Sequence, residues 1–143
     1  MGLFHRLARL DGTERRLLAR ALLWIVSARV GLRVLPYRML ARLLDRASRR
    51  APLGTPCSPK KVRWALVAAA RRLPGTRCLA WAIACRNLLR QAGFVSELRI
   101  GVAKTPGGAF RAHAWVECEG DSLSWGDDER LYAPLASVLG EEP

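Results

Sequence analysis

Two residues in the second half of the chain have side chains suited to covalent catalysis, Cys78 and His113. Cys78 follows the turn-forming segment PGTR and begins a leucine- and alanine-rich stretch that predicts a helix. Backbone N–H groups at a helix N-terminus are unpaired and partly positive, so they favour an anionic sulfur, and the thiolate is the nucleophilic form of cysteine. The only other histidine is His5, near the N-terminus. His113 is therefore the side chain expected to exchange protons near neutral pH.

His113 lies in the segment AFRAHAWVECEG, where apolar and polar residues alternate as in a β-strand. The two predicted faces carry Phe110, Ala112, Ala114, Val116 and Cys118 on one side, and Arg111, His113, Trp115 and Glu117 on the other. If the second face meets the start of the Cys78 helix, the imidazole takes the thiol proton and later protonates a leaving amine. Trp115 then either forms a wall of the substrate cleft or only packs.

A third group should orient the imidazole. The segment WGDDE supplies Asp127 and Asp128, one predicted strand after His113. The order Cys, His, Asp is that of a catalytic triad. From the residue types and their spacing alone, either aspartate could be the third member.

The other three cysteines are interpreted as bystanders. Cys85 is seven residues after Cys78, two helical turns along the same face, and should be buried. Cys118 should face inward with Val116, and Cys57 lies in a loop. No CxxC pair is present and only one histidine is a plausible ligand, so we expect no metal and no cofactor. The N-terminus lacks a signal-peptide pattern, which predicts a cytoplasmic protein with free thiols.

The composition predicts one folded domain with a basic surface. The chain has 143 residues, half of them hydrophobic, and a net charge of +12 from 24 Lys and Arg against 12 Asp and Glu. Such a charge favours nucleic acid, an anionic membrane or an acidic peptide as partner, or it is simply a solvated surface. A non-catalytic nucleic-acid-binding module is disfavoured, because no recognisable motif and no basic-aromatic stripe is present.

The first half predicts helices. DGTERRLLARALLWIVSARVGLRVLP starts at a cap, Asp11 or Thr13, and its pattern ends at Pro36. Its longest uncharged run, residues 21–28, is far too short to cross a bilayer. We interpret it as a core helix; the alternative is an arginine-flanked helix that touches a membrane or a partner.

The remaining segments predict an α+β fold. YRMLARLLDRASRR and PKKVRWALVAAARRLP are helical, with a proline-rich loop between them. The Cys78 helix ends near Gly93, and SELRIGVAK, AFRAHAWVECEG and SLSW predict an antiparallel sheet. The expected division is a helical region with its loop, residues 1–61, and a core, residues 62–143.

Two blocks, CLAWAIACRNLLRQAGFVSELRIGV and FRAHAWVECEG, resemble the transglutaminase-like cysteine peptidases of lasso-peptide biosynthesis. The similarity covers about residues 62–135, and ERRLLARAL and RVLP resemble the N-terminal part of stand-alone members. The resemblance implies a transglutaminase-like or papain-like core, with the catalytic cysteine at a helix start packed on a small antiparallel sheet. It places the nucleophile on Cys78, the base on His113 and the acid on Asp127, with Asp128 and Asp121 as alternatives.

The resemblance also implies a function and partners. Such a peptidase removes the leader from a ribosomally made precursor, and a separate ATP-dependent cyclase joins the freed amine to an Asp or Glu side chain. Residues 1–73 predict no strands that could bind a leader by strand addition, so a separate small leader-recognition protein is expected. A plausible docking surface for that protein, or for an acidic leader, is formed by Arg15, Arg16, Arg20, Arg29 and Arg33.

Three other classes compete with this interpretation. In papain-like peptidases the cysteine and histidine are roughly 130 residues apart, whereas Cys78 and His113 are only 35 apart. An acyltransferase that forms an amide bond uses the same triad with an amine in place of water, and the residues leave this alternative open. A non-catalytic scaffold is disfavoured by the presence of both residues.

Overall fold

The computed structural model describes residues 8–54, 56–125 and 132–134, and in this part of the chain four helices precede four strands. The helices are α1 (Gly12–Val34), α2 (Tyr37–Arg50), α3 (Pro59–Arg72) and α4 (Cys78–Gln91). The strands are β1 (Ser96–Lys104), β2 (Phe110–Cys118), β3 (Asp121–Leu123) and β4 (Ala133–Pro134). The predicted α+β class, with helices first and an antiparallel sheet last, is confirmed.

Local chemistry fixes both ends of α1. The Asp11 side chain accepts a hydrogen bond from the Glu14 backbone N–H at 2.7 Å, and the Glu14 carboxylate accepts one from the Asp11 N–H at 3.2 Å. This reciprocal capping box makes Asp11, and not Thr13, the cap. The helix stops before Leu35, whose extended conformation is the one that a following proline, Pro36, imposes.

The four strands form one antiparallel sheet in the order β3-β2-β1-β4. β1 and β2 pair along their full lengths, from Ser96 opposite Cys118 to Lys104 opposite Phe110. β3 starts at Asp121, one residue before the predicted segment SLSW. The sequence pattern did not predict β4, which pairs with Gly101 and Val102 of β1.

The core lies around α4. Helices α1, α2 and α3 pack against one side of it, and β1 and β2 pack against the other. The largest side chains that are fully buried here include Ile25, Leu66, Trp81, Leu88, Leu89, Leu98 and Val116. The interpretation of α1 as a core helix is confirmed for one of its sides, which buries Leu17, Leu18, Ala21, Trp24, Ile25 and Ala28. The division at residues 61 and 62 stays a prediction, and side chains from both parts share this core.

No helix in the described ranges is long and apolar enough to cross a membrane.

We predict that one buried hydrogen bond between α1 and α4 contributes strongly to stability. Trp24 Nε1 donates to Gln91 Oε1 at 2.9 Å, and both side chains are buried. Trp24→Phe leaves the Gln91 amide oxygen unpaired in an apolar core, so the free energy of unfolding should fall by about 1–3 kcal/mol, plus the loss of packing. Urea unfolding measures this change.

The control for this prediction is the same substitution in a Gln91→Leu background, where no acceptor is left unpaired. Trp24→Phe should cost less there, and the difference between the two backgrounds isolates the pairwise term. An equal cost in both backgrounds would assign the effect to packing alone.

Candidate active site

Cys78 is the first residue of α4 and its side chain is half-buried. The turn before it is fixed by Gly75, at φ +79°, which glycine adopts without strain, and by Thr76 Oγ1, which donates to the Leu73 carbonyl at 2.8 Å. Arg77 is the N-cap residue, and its side chain makes no capping hydrogen bond. Side-chain capping therefore does not occupy the N–H groups of the first turn, which can face an anionic sulfur or an oxyanion.

A guanidinium from α1 lies beside this turn. A Cβ atom added at Gly75 would be 3.6 Å from Arg29 Nη2. Arg29 also lines a shallow surface depression of about 190 Å³ with Val26, Val30 and Arg33. Positive charge from the N-terminal region therefore lies near the start of the Cys78 helix.

The other three thiols are poor nucleophiles in this fold. Cys85 is fully buried, and burial raises its pKa far above the usual value. Burial also raises the pKa of Cys118, helped by two neighbouring carboxylates. The pKa of Cys57 is raised by burial, which the nearby Lys61 ammonium only partly opposes. A raised pKa keeps these thiols protonated near neutral pH. The predicted burial of Cys85 and Cys118 is confirmed, and Cys57 precedes α3 in the proline-rich loop as predicted.

His113 is buried in β2, only 3% exposed, between two aromatic rings. Its ring is stacked with Trp115, with centroids 6.0 Å apart, and tilted against Tyr132 at 5.0 Å. Gly101 lies opposite His113 on β1. A Cβ at Gly101 would come within 2.8 Å of both the Trp115 ring and Tyr132 Cβ. The close approach of these rings to β1 therefore requires glycine at this position.

The ring of Trp115 is itself held by charged groups on the same face. Its Nε1 donates to Glu117 Oε1 at 3.4 Å. Glu97 and Glu117 are direct cross-strand partners, and Arg99 forms ion pairs with both carboxylates at 2.9 and 3.3 Å. The arginine offsets the repulsion that two facing carboxylates would otherwise cause. Since Trp115 is also only 2% exposed, its packing role is supported over that of an open cleft wall.

Cys78 and His113 pack against different groups in the described structure. Cys78 packs against the core that contains Ala114 and Val116, whereas His113 shares the opposite face of β2 with its stacked neighbour. In the described part of the sheet β3 pairs only with residues 116–118, so β2 is an edge at the level of His113. These contacts do not test the predicted pair of the Cys78 thiol and the His113 imidazole. That pair stays a prediction.

The three candidates for the acidic residue of the triad differ in where they lie relative to His113. Asp121 pairs with Cys118, which is five residues from His113 and so about 17 Å away along the strand, beyond hydrogen-bond reach. Asp127 and Asp128 lie outside the described residues, so the assignment of the acid stays a prediction. Within the described ranges, no group of three or more His, Cys, Asp or Glu side chains could hold a metal ion.

Two residues near the imidazole were not predicted, Gly101 and Tyr132. A glycine inside a strand indicates that another group approaches the backbone closely, and this could have identified Gly101. Tyr132 belongs to a segment without clear periodicity, and only the three-dimensional structure brings it to His113.

Comparison with protein families identifies the family of this chain. The family model described as Transglutaminase-like superfamily, Transglut_core3, matches residues 22–137. The matched region contains α2, α3, α4 and all four strands, and includes Cys78, His113 and Asp127. No curated protein and no solved structure matched the chain.

We predict that Gly101→Ala disturbs the support of His113. The new methyl group would collide with the Trp115 ring and with Tyr132, and backbone or ring shifts of this kind typically cost about 1–3 kcal/mol in unfolding free energy. The stack around His113 should loosen as well. Urea unfolding and the tryptophan fluorescence of the native protein measure the two effects.

Gly107→Ala is the matched control. It lies in the β1–β2 turn, where an added Cβ would meet nothing closer than Thr105 Oγ1 at 4.0 Å. Equal stability and equal fluorescence of the two alanine variants would contradict the close packing inferred at Gly101.

Proposed function

Because the chain belongs to the transglutaminase-like superfamily, whose members generally are cysteine peptidases or acyltransferases, we propose that it is a cysteine endopeptidase. Its proposed substrate is a ribosomally made lasso-peptide precursor, from which it removes the leader peptide. The observation that carries the proposal is the place of Cys78, a partly exposed thiol at the start of a buried helix within the matched region. The blocks CLAWAIACRNLLRQAGFVSELRIGV and FRAHAWVECEG support the assignment to leader peptidases.

The proposed reaction proceeds through an acyl-enzyme. His113 takes the thiol proton, and Cys78 Sγ attacks the carbonyl carbon at the end of the leader. Backbone N–H groups at the start of α4, including that of Cys78, stabilise the oxyanion. The intermediate collapses, His113 protonates the departing amine of the core peptide, and the leader remains as a thioester. Water then hydrolyses the thioester, which releases the leader acid and restores the thiol.

Asp127 is the proposed orienting carboxylate. It is five residues before Tyr132, whose ring lies against His113. A link of five residues is long enough to bring its carboxylate to the imidazole. Asp128 is four residues before the same tyrosine and is the nearest alternative. A carboxylate on the second ring nitrogen fixes the tautomer and stabilises the imidazolium that forms during the reaction.

The same chemistry with an amine acceptor would make the protein an acyltransferase. The two functions share the acyl-enzyme and differ only in the second half of the reaction. Their products separate them: hydrolysis gives a leader with a free carboxylate, whereas acyl transfer gives a leader amide. Mass spectrometry of the leader fragment distinguishes the two.

A separate recognition protein is part of the proposal. Residues 8–54 and 56–73, as described, contain helices and no strand that a leader could extend. Ordering a free peptide costs about 1 kcal/mol or more per residue, so a small cleft binds it weakly. A partner that holds the leader raises the effective concentration of the scissile bond. The freed core amine would then be the substrate of an ATP-dependent cyclase.

We predict that Cys78→Ala abolishes precursor cleavage while the fold is retained. His113→Ala should be equally inactive, because nucleophile and base act as a unit and their losses do not add. Asp127→Asn should reduce the rate less than either. Cleavage rates by mass spectrometry and helix content by circular dichroism measure these effects.

Cys85→Ala is the control, since a buried thiol with a raised pKa contributes only packing. Full activity of Cys78→Ala would exclude it as the nucleophile. Greater damage from Asp128→Asn than from Asp127→Asn would move the third role to Asp128 and leave the other two unchanged.

We further predict that this protein alone cleaves the precursor slowly or not at all, and efficiently once the recognition protein is present. If Arg16 and Arg33, both exposed on α1, help to hold that protein or an acidic leader, added salt should slow the assisted reaction. The assay compares rates with and without the recognition protein at low and high salt.

Equal rates with and without the recognition protein would show that this chain finds its substrate unaided. A rate that does not respond to salt would remove the arginine surface from the explanation and leave the requirement for a partner standing.

A further inference from the structure

Exposed apolar side chains are concentrated on the first two helices. Of the eight large hydrophobic residues that are exposed in the described part of the chain, six lie on α1 and α2. The four on α1 are Leu23, Val26, Val30 and Val34, here called the outer stripe, and two of them are more than 60% exposed. Those on α2 are Met39 and Leu43, both about half exposed. Apolar area of this extent on adjoining elements is typical of a binding surface.

The outer stripe follows helical spacing. Its residues recur at intervals of three and four, so they lie along one side of α1 over about 16 Å. The side that faces the core, with residues such as Leu18, Ala21 and Ile25, lies roughly opposite. Helix α1 is thus apolar on two sides, and the described structure covers only one of them.

The same two helices carry a strong positive charge. Residues 12–50 contain ten arginines against two acidic residues, Glu14 and Asp45, a net charge of +8. On α2 the exposed residues include Arg38, Arg42 and Arg46, here called the outer arginines, which flank Met39 and Leu43 in the sequence. Basic side chains around exposed aliphatic ones are the pattern of a helix that lies in a membrane interface.

We propose that the outer sides of α1 and α2 bind the surface of an anionic lipid bilayer. The outer stripe and the two apolar residues of α2 enter the boundary between headgroups and acyl chains, and the outer arginines contact lipid phosphates. The helices lie on the membrane and do not cross it. This inference goes beyond the proposed function and does not depend on it, since it rests on the outer stripe and the outer arginines and not on Arg16 or Arg33.

The chemistry of the surface favours lipid over a protein partner. Every exposed large hydrophobic residue described on α1 and α2 is aliphatic, whereas Trp24 is buried and Tyr37 is half-buried. Protein interfaces are typically anchored by exposed Trp, Tyr and Arg that fill pockets. Aliphatic side chains spaced one turn apart fit a fluid acyl boundary, which needs no matching pocket.

The test is sedimentation of the full chain with vesicles. One set contains phosphatidylcholine alone, and the other contains equal parts of phosphatidylcholine and phosphatidylglycerol. We expect the protein to sediment with the anionic vesicles, to remain largely free with the neutral ones, and to bind less at high salt because the charges are screened.

Two pairs of variants separate the contributions. Leu23→Gln with Val30→Gln removes apolar area from the outer stripe and should weaken binding at least about tenfold. Arg42→Gln with Arg46→Gln removes two charges and should weaken it by about 10- to 30-fold. All four positions are exposed, so the fold should persist, and circular dichroism checks this.

Each pair has a matched control elsewhere on the surface. Val95→Gln with Phe110→Gln alters the two large hydrophobic residues that are exposed outside α1 and α2 in the described ranges. Lys60→Gln with Arg71→Gln removes two exposed charges from α3. Binding by both controls should be close to that of the unmodified protein.

Three results would overturn the proposal: no binding to anionic vesicles, equal binding to neutral ones, or the same loss in the control pairs. A different result would assign the surface to a protein partner instead: no binding to either kind of vesicle, together with binding to an acidic peptide such as oligoglutamate. That peptide binding should be weaker in the variant with Arg42→Gln and Arg46→Gln. Loss of peptidase activity in any variant would bear on the proposed function and not on this result, since sedimentation needs no catalysis.

Discussion

The burial of α4 on nearly every side is the constraint on which the rest of the fold depends. Ten of its 14 residues are buried, with three helices on one side and the sheet on the other. Alternating alanines at positions 80, 82 and 84 are all buried and leave room for the surrounding elements. Two buried polar side chains of the helix are hydrogen-bonded: Asn87 Nδ2 donates to the Ile83 carbonyl at 2.8 Å, and Gln91 Oε1 accepts from Trp24 Nε1 at 2.9 Å. A helix held this firmly places its first residue, Cys78, in one position while leaving the thiol partly open to solvent.

A second constraint acts on the opposite face of the sheet. The ring of His113 lies between those of Trp115 and Tyr132, and rotation about its side-chain bonds would have to displace at least one of them. Ion pairs through Arg99 hold Trp115 from the side, and the absence of a side chain at Gly101 lets the aromatic rings come close to β1. Packing against these two rings therefore restricts the orientation of the imidazole.

Local sequence patterns predicted most of the helices and strands. Which of their faces are buried depends on contacts between residues that are far apart in the sequence. Asp11 could be identified as a cap because its partner Glu14 is three residues away, and the alternation in β2 correctly placed Val116 toward the core. The burial of His113 could not be predicted, because one of its covers, Tyr132, comes 19 residues later in the chain. Strand β4 has two residues, too few for any periodicity. The sequence of α1 was likewise insufficient to predict which of its sides is buried. The helix is apolar on two sides, and only the three-dimensional packing shows which of them α4 covers.

Arg29 connects the two halves of the molecule. It belongs to α1, where it borders a depression formed with Val26 and Val30, two residues of the outer stripe. Its guanidinium also reaches the Gly75 turn, three residues before the thiol at Cys78. A charge in solution acts over about one Debye length, about 10 Å at 0.1 M salt, so only ligands or anions within that distance of the Arg29 guanidinium are affected by it. Arg29 therefore places one positive charge between the surface of the N-terminal helices and the turn that precedes Cys78.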